Sequence, residues 1–141
     1  MVKALHVILL GAVVFFTGCE SASLQDVSTK PSAYNRVLSK VGTEAMVLEL
    51  GASSCASCVR MKALIDTLKS QDPTLPLHLV DVIEHKEAIA RFSIQMIPTQ
   101  VVLDAQGKEI FRHVGELSEE GLRQLLAMTQ GSKKTPLNTK P

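Results

Sequence analysis

Two cysteines three residues apart, Cys55 and Cys58, stand where a strand-length apolar run gives way to a helical period. Residues 45–50 (AMVLEL) are the apolar run, Gly51-Ala52-Ser53-Ser54 is a loop, and the helical spacing begins at Cys55. Val59, Met61, Leu64, Ile65 and Leu68 recur on one side of that helix, with Arg60, Lys62, Asp66 and Lys69 on the other. This arrangement demands a strand, a short loop and a helix whose first turn carries both sulfurs. At that spacing the sulfurs can bridge across one turn. The unpaired N–H groups and the dipole of a helix start favour a thiolate on the first of them. Cysteines so placed have pKa values of roughly 3.5–7.5, against about 8.5 for a free thiol. Arg60 and Lys62 add positive charge nearby, Lys62 pointing to solvent.

Other uses of such a pair fit less well. A zinc site needs two further ligands, and His78, His85 and His113 are scattered with no second cysteine pair. Haem attachment of the c type needs His directly after the second cysteine, where Val59 stands. A structural disulfide closing so short a loop adds little stability. Thiol–disulfide chemistry is what the pair suits best, with no cofactor beyond the disulfide itself and no metal.

The remaining punctuation gives the element order. Residues 32–40 suit a short helix after Pro31, and Pro73 and Pro76 close the helix that starts at Cys55. Residues 77–82 (LHLVDV) read as a second strand and 84–91 as a short charged helix. Residues 99–103 and 109–114 read as strands joined by a hairpin with Gly107 at the turn. Ser118 caps a final helix with Glu119 and Glu120 in its first turn and Leu122, Leu125, Leu126 and Thr129 on one face. The order (α)βαβαββα implies an α/β fold: a parallel pair from the strand–helix–strand unit, antiparallel strands from the late hairpin, and helices on both faces of a mixed sheet.

The ends have another character. Lys3 precedes an apolar run of 13 residues, 4–16, which is short against the roughly 20 needed to span a bilayer and matches the h-region of a signal peptide. The run ends in Phe16-Thr17-Gly18-Cys19. Small residues before a cysteine resemble the lipobox of bacterial lipoproteins, with Phe16 where Leu is usual. That resemblance implies cleavage after residue 18 and lipidation of Cys19, giving a lipid-anchored, exported protein on the periplasmic or cell-surface face of a bacterial membrane. Glu20 is not the Asp of inner-membrane retention, which tilts the expectation toward an outer membrane. Three cysteines is an odd number for an exported chain, and lipidating Cys19 leaves a clean pair in a compartment where a disulfide persists. Residues 19–30 read as a flexible tether, 31–130 as one domain and 131–141 as a disordered tail. With 15 basic and 14 acidic residues the net charge is +1, which argues against a nucleic-acid partner; a monomer is expected.

From about residue 45 to 129 the chain resembles the thioredoxin-fold family. The resemblance rests on Glu49 in the first core strand, the CxxC at a helix start, Ile97-Pro98-Thr99 opening a strand about 40 residues later, Gly107 in the hairpin and Gly115 before the last helix. It implies a cis-proline at Pro98 facing the disulfide, with Ile97 and Thr99 flanking a substrate groove. It implies that Glu49, six residues before Cys55, is a buried acid exchanging protons with Cys58; the strand pattern alone leaves open a Glu49 that points to solvent. Expected partners are protein disulfides or thiols and a membrane-embedded thiol reductase that recharges the pair. The family's Trp before the first cysteine is replaced by Ser54 and its common Gly-Pro dipeptide by Ala56-Ser57. The direction of electron flow is therefore open, Ile97 leaning toward reduction. The missing Trp also leaves room for a redox-inactive binding scaffold.

Overall fold

A computed structural model of the chain describes residues 32–131. The readings placed on the signal peptide, on Cys19, on the tether and on residues 132–141 lie outside the described residues. Eight elements follow in order: α1 (Ala33–Leu38), β1 (Met46–Gly51), α2 (Ala56–Gln71), β2 (Leu77–Asp81), α3 (Glu87–Arg91), β3 (Thr99–Leu103), β4 (Glu109–Val114) and α4 (Glu119–Gly131). α4 ends at Gly131, the last described residue.

The four strands form one mixed sheet in the order β2-β1-β3-β4. β1 and β2 are parallel, as the crossover through α2 requires, whereas β1–β3 and β3–β4 are antiparallel. β1 and β3 are buried along their whole length, so both faces are covered. Alternation along β1 divides the core in two. Met46, Leu48 and Leu50 pack with Tyr34, Val37 and Ala88 of α1 and α3. Val47 packs on the opposite face with Met61, Ile65 and Leu68 of α2 and Leu122, Leu125 and Leu126 of α4. Helices on both faces of a mixed sheet are what the sequence implied.

Three boundaries have local causes. Ser32 caps α1 through its Oγ, which accepts from the N–H of Asn35 at 3.1 Å. In the β3–β4 hairpin Gly107 has φ +80°, and a Cβ there would stand 3.0 Å from Val41 Cγ1 and 3.1 Å from Gly42 N, so glycine is required twice over. The charged helix expected over 84–91 begins only at Glu87. The residues before it form a separate turn capped by Asp81, whose Oδ1 accepts from the N–H groups of Ile83 (2.8 Å) and Glu84 (3.3 Å) while its backbone O accepts from His85 N–H at 2.9 Å. Val59, expected on the packed side of α2, is 51 % exposed, and the buried stripe runs through Cys58, Met61, Ile65 and Leu68.

Candidate active site

β1 carries Glu49 and then Gly51 on the face that packs against α2, and the chain leaves the sheet through Ala52, Ser53 and Ser54 before α2 starts. Two bonds shape that loop. Cys55 N–H donates to Ala52 O at 3.1 Å, and Ser53 N–H donates to Asp81 Oδ2 at 3.2 Å across from β2. Asp81 therefore ties the cysteine loop and the β2–α3 turn to one carboxylate, and its backbone partners hold its carboxyl below the ordinary range despite burial that pushes the other way.

Cys55 is the N-cap of α2. Its sulfur accepts from the backbone N–H of Cys58 at 3.4 Å and lies 3.2 Å from Ser57 Oγ. Hydrogen bonds from the Cys58 thiol, the Ser57 hydroxyl and the Cys58 N–H lower the Cys55 thiol to about 7. Cys58 is buried at 5 % exposure, and burial, the hydrogen bond to Cys55 and the nearby charges of Cys55 and Glu49 raise its thiol to about 11. Both thiols are free. The positive charges expected nearby both have carboxylate partners. Arg60 forms a bidentate pair with Glu116, at 2.8 and 2.6 Å from Nε and NH2, and Lys62 pairs with Asp66. Hydrogen bonding is the main stabiliser of the Cys55 thiolate, and Arg60, though paired with Glu116, still attracts it through space.

Glu49 is 1 % exposed, which excludes the solvent-facing alternative. Burial, opposed by a hydrogen bond from Gln100, raises its carboxyl to about 7. Its Oε2 accepts from Gln100 Nε2 at 2.7 Å, while its Oε1 is buried without a partner. Gly51 makes room between this acid and Cys58. A Cβ on Gly51 would stand 3.2 Å from Cys58 Sγ and 3.8 Å from Glu49 Oε1, so both groups border one point that glycine leaves open. A cavity of about 350 Å³ adjoins it, walled by Glu49, Gly51, Cys58, Leu79, Val80 and Lys62 among others.

The third expected group lies at the same end of the sheet, because Thr99 pairs with Leu50, one residue before Gly51. The Ile97–Pro98 peptide bond is cis. Pro98 O accepts from Gly115 N–H at 2.8 Å, and Thr99, itself buried, donates through Oγ1 to Met96 O at 2.6 Å. Ile97 is half-buried against the core and makes no hydrogen bond among the described residues through its own N–H or C=O. Met96 (66 %) and Val59 (51 %) are exposed apolar side chains of the segments that carry Pro98 and Cys58. The sequence reading thus named Cys55, Cys58, Glu49, Ile97, Pro98 and Thr99, and all six are gathered at one end of the sheet. It missed Gln100, whose β3 position opposite Glu49 is visible only once the antiparallel register is known, and Gly51 and Asp81, which read as ordinary loop and strand residues. Among the described residues no three His, Cys, Asp or Glu converge as a metal site.

Comparison with known proteins agrees with this geometry. The family model described as Thioredoxin matches residues 25–128. Thioredoxin from Fasciola hepatica superimposes with a TM-score of 0.57 at 25% identity, over 68% of this chain and 90% of its own. The reduced Schistosoma mansoni thioredoxin pre-protein gives 0.57 at 18% identity, over 70% and 90%, and thioredoxin NaTrxh from Nicotiana alata 0.57 at 24%, over 67% and 81%. No curated protein sequence matches the chain significantly. With the fold, the cysteine pair at a helix start, the cis-proline and a family match spanning most of its length, the chain belongs to the thioredoxin family.

Proposed function

We propose that this chain is a thiol–disulfide oxidoreductase that reduces disulfides of exported proteins while tethered to a membrane by a lipid on Cys19. The observation that carries the reading is the opposite tuning of the two thiols, about 7 at Cys55 and about 11 at Cys58, beside a buried carboxyl of about 7. At neutral pH the accessible sulfur is substantially thiolate, and the buried one holds its proton until it is needed.

In the first step the Cys55 thiolate attacks a substrate disulfide; a Cys55–substrate disulfide forms, the substrate S–S bond breaks, and one substrate thiolate leaves and takes a proton from solvent. The substrate chain pairs with the backbone groups of Ile97, beside Pro98 and Thr99, and its apolar side chains rest on Met96 and Val59. Once Cys55 is in the mixed disulfide its charge is gone, removing two of the causes that raise Cys58. Cys58 then passes its proton to Glu49, attacks Cys55 Sγ and releases the second substrate thiolate. The substrate gains two electrons and the Cys55–Cys58 dithiol becomes a disulfide. A dithiol partner, in our reading a membrane-embedded thiol reductase, restores the pair, and anchoring raises the effective concentration of the two proteins for one another.

Cys58→Ser should stop the cycle at the mixed disulfide and accumulate covalent complexes through Cys55; a clean monomer recovered from cells would refute the reading. Cys19→Ser should release the protein from membranes to the soluble fraction, and unchanged retention would refute the lipid anchor.

A further inference from the structure

Gln100 is a buried amide that the mechanism above leaves unused. It lies opposite Glu49 in the β1–β3 register and is fully buried. Its Nε2 donates twice, to Glu49 Oε2 at 2.7 Å and to Gly115 O at 3.1 Å, while its Oε1 has no partner. Gly115 is itself fixed, its N–H held by Pro98 O at 2.8 Å. Turning the amide over would set its oxygen against two acceptors, the Glu49 carboxylate and the Gly115 carbonyl, and leave its nitrogen unpaired. The Gly115 carbonyl therefore determines which end of Gln100 faces the acid.

We propose that Gln100 is a positioning residue for Glu49: locked as a donor by Gly115, it holds Oε2 and leaves Oε1 facing the space at Gly51 shared with Cys58. The inference rests on the proton-transfer role given to Glu49 above. A donor that cannot become an acceptor binds the carboxylate more strongly than the neutral acid. Gln100 thus opposes the burial of Glu49 and keeps the acid able to release its proton near neutrality, in keeping with the direction of its effect on that carboxyl. The charged and titrating groups around Glu49 are Cys55 and Cys58 at the start of α2, Lys62 on α2, Asp81 and Glu84 at the cavity wall from the β2 side, and His113, which pairs with Gln100 from β4. Of these, none donates a hydrogen bond to the Glu49 carboxylate among the described residues.

The experiment is a carboxyl-carbon NMR titration of Glu49 in the reduced, full-length protein, compared with Gln100→Leu and Gln100→Met, together with the pH profile of disulfide reduction. Both variants are expected to raise the Glu49 midpoint by about one pH unit, and the alkaline shift should appear in the rate profile as well. In the unsubstituted protein the Gln100 side-chain amide resonances should move with the same midpoint, a readout that needs no variant to fold. An unmoved or lowered Glu49 midpoint in both variants, or a Gln100 amide blind to the titration, would overturn the proposal. Glu49→Gln separates the two levels. A pH profile unchanged by it removes the proton-transfer role and with it the positioning role, whereas a changed profile alongside an unmoved Gln100-variant midpoint refutes Gln100 alone.

Discussion

The backbone N–H of Cys58 donates to the sulfur of Cys55 at 3.4 Å, so the residue that carries the high-pKa thiol also stabilises its neighbour as a thiolate. Alkylation should expose this division. Reduced protein treated with substoichiometric iodoacetamide is expected to label Cys55 with a rate midpoint near pH 7, Cys58 staying unlabelled while Cys55 is unmodified. Ser57→Ala removes one donor to Cys55 and should move the first midpoint up by about half a unit. Peptide mapping after labelling checks both.

Burial of Glu49 costs stability, and the cost depends on pH in a definite direction. Its carboxyl rises from the ordinary 4.5 to about 7, so the folded chain binds more protons than the unfolded chain between those values. Stability therefore falls as pH rises through that window and levels off above it. Glu49→Gln keeps an acceptor for Gln100 and abolishes the charge. It is expected to stabilise the domain by about 3 kcal/mol at pH 8 and by nothing at pH 4, while slowing turnover at pH 7 by about tenfold or more. Thermal unfolding at the two pH values, paired with a disulfide-reduction assay, measures each part.

Gly51 is where the site has no slack. A methyl group there would meet Cys58 Cβ at 3.1 Å and Sγ at 3.2 Å, so Gly51→Ala must push α2 or the Cys58 side chain aside. The expected cost is about 1–3 kcal/mol of stability, with a further loss of resolving rate because Cys58 is displaced from Cys55. Denaturant unfolding and the lifetime of the mixed disulfide report the two effects separately.

Asp81 should matter for the loop more than for the core. Asp81→Ala leaves the N–H groups of Ser53, Ile83 and Glu84 without their acceptor. A loss of about 1–2 kcal/mol is expected, together with faster hydrogen exchange at Ser53 and Ile83.

Much of the fold was legible because its signals are local. Strands β3 and β4 match the expected spans residue for residue, with Gly107 marking the turn between them, whereas the register shift between Val102 and Leu103 left no trace in the pattern. The charged helix was expected too early because 82–84 form a separate turn capped by Asp81, which does not show in periodicity. Val59 was placed on the packed side because it sits within the helical stripe, yet Cys58 takes the inward position at that turn. Of the site, the cysteines, the acid and the proline carry motif spacing and could be named. Gln100 carries none: it reaches Glu49 only across the β1–β3 pairing, 51 positions away in sequence. Arg60 does act on Cys55 through space, but its pairing with Glu116, like that of Lys62 with Asp66, was not legible from spacing.

The most direct test is a redox titration of the Cys55–Cys58 couple against glutathione, with the rate of exchange on a model protein disulfide followed alongside. The expected result is a potential between about −270 and −120 mV, with exchange that requires Cys55 and follows its ionisation near pH 7. A potential below about −300 mV with no detectable exchange would contradict the oxidoreductase reading, because the pair would then be an inert structural disulfide.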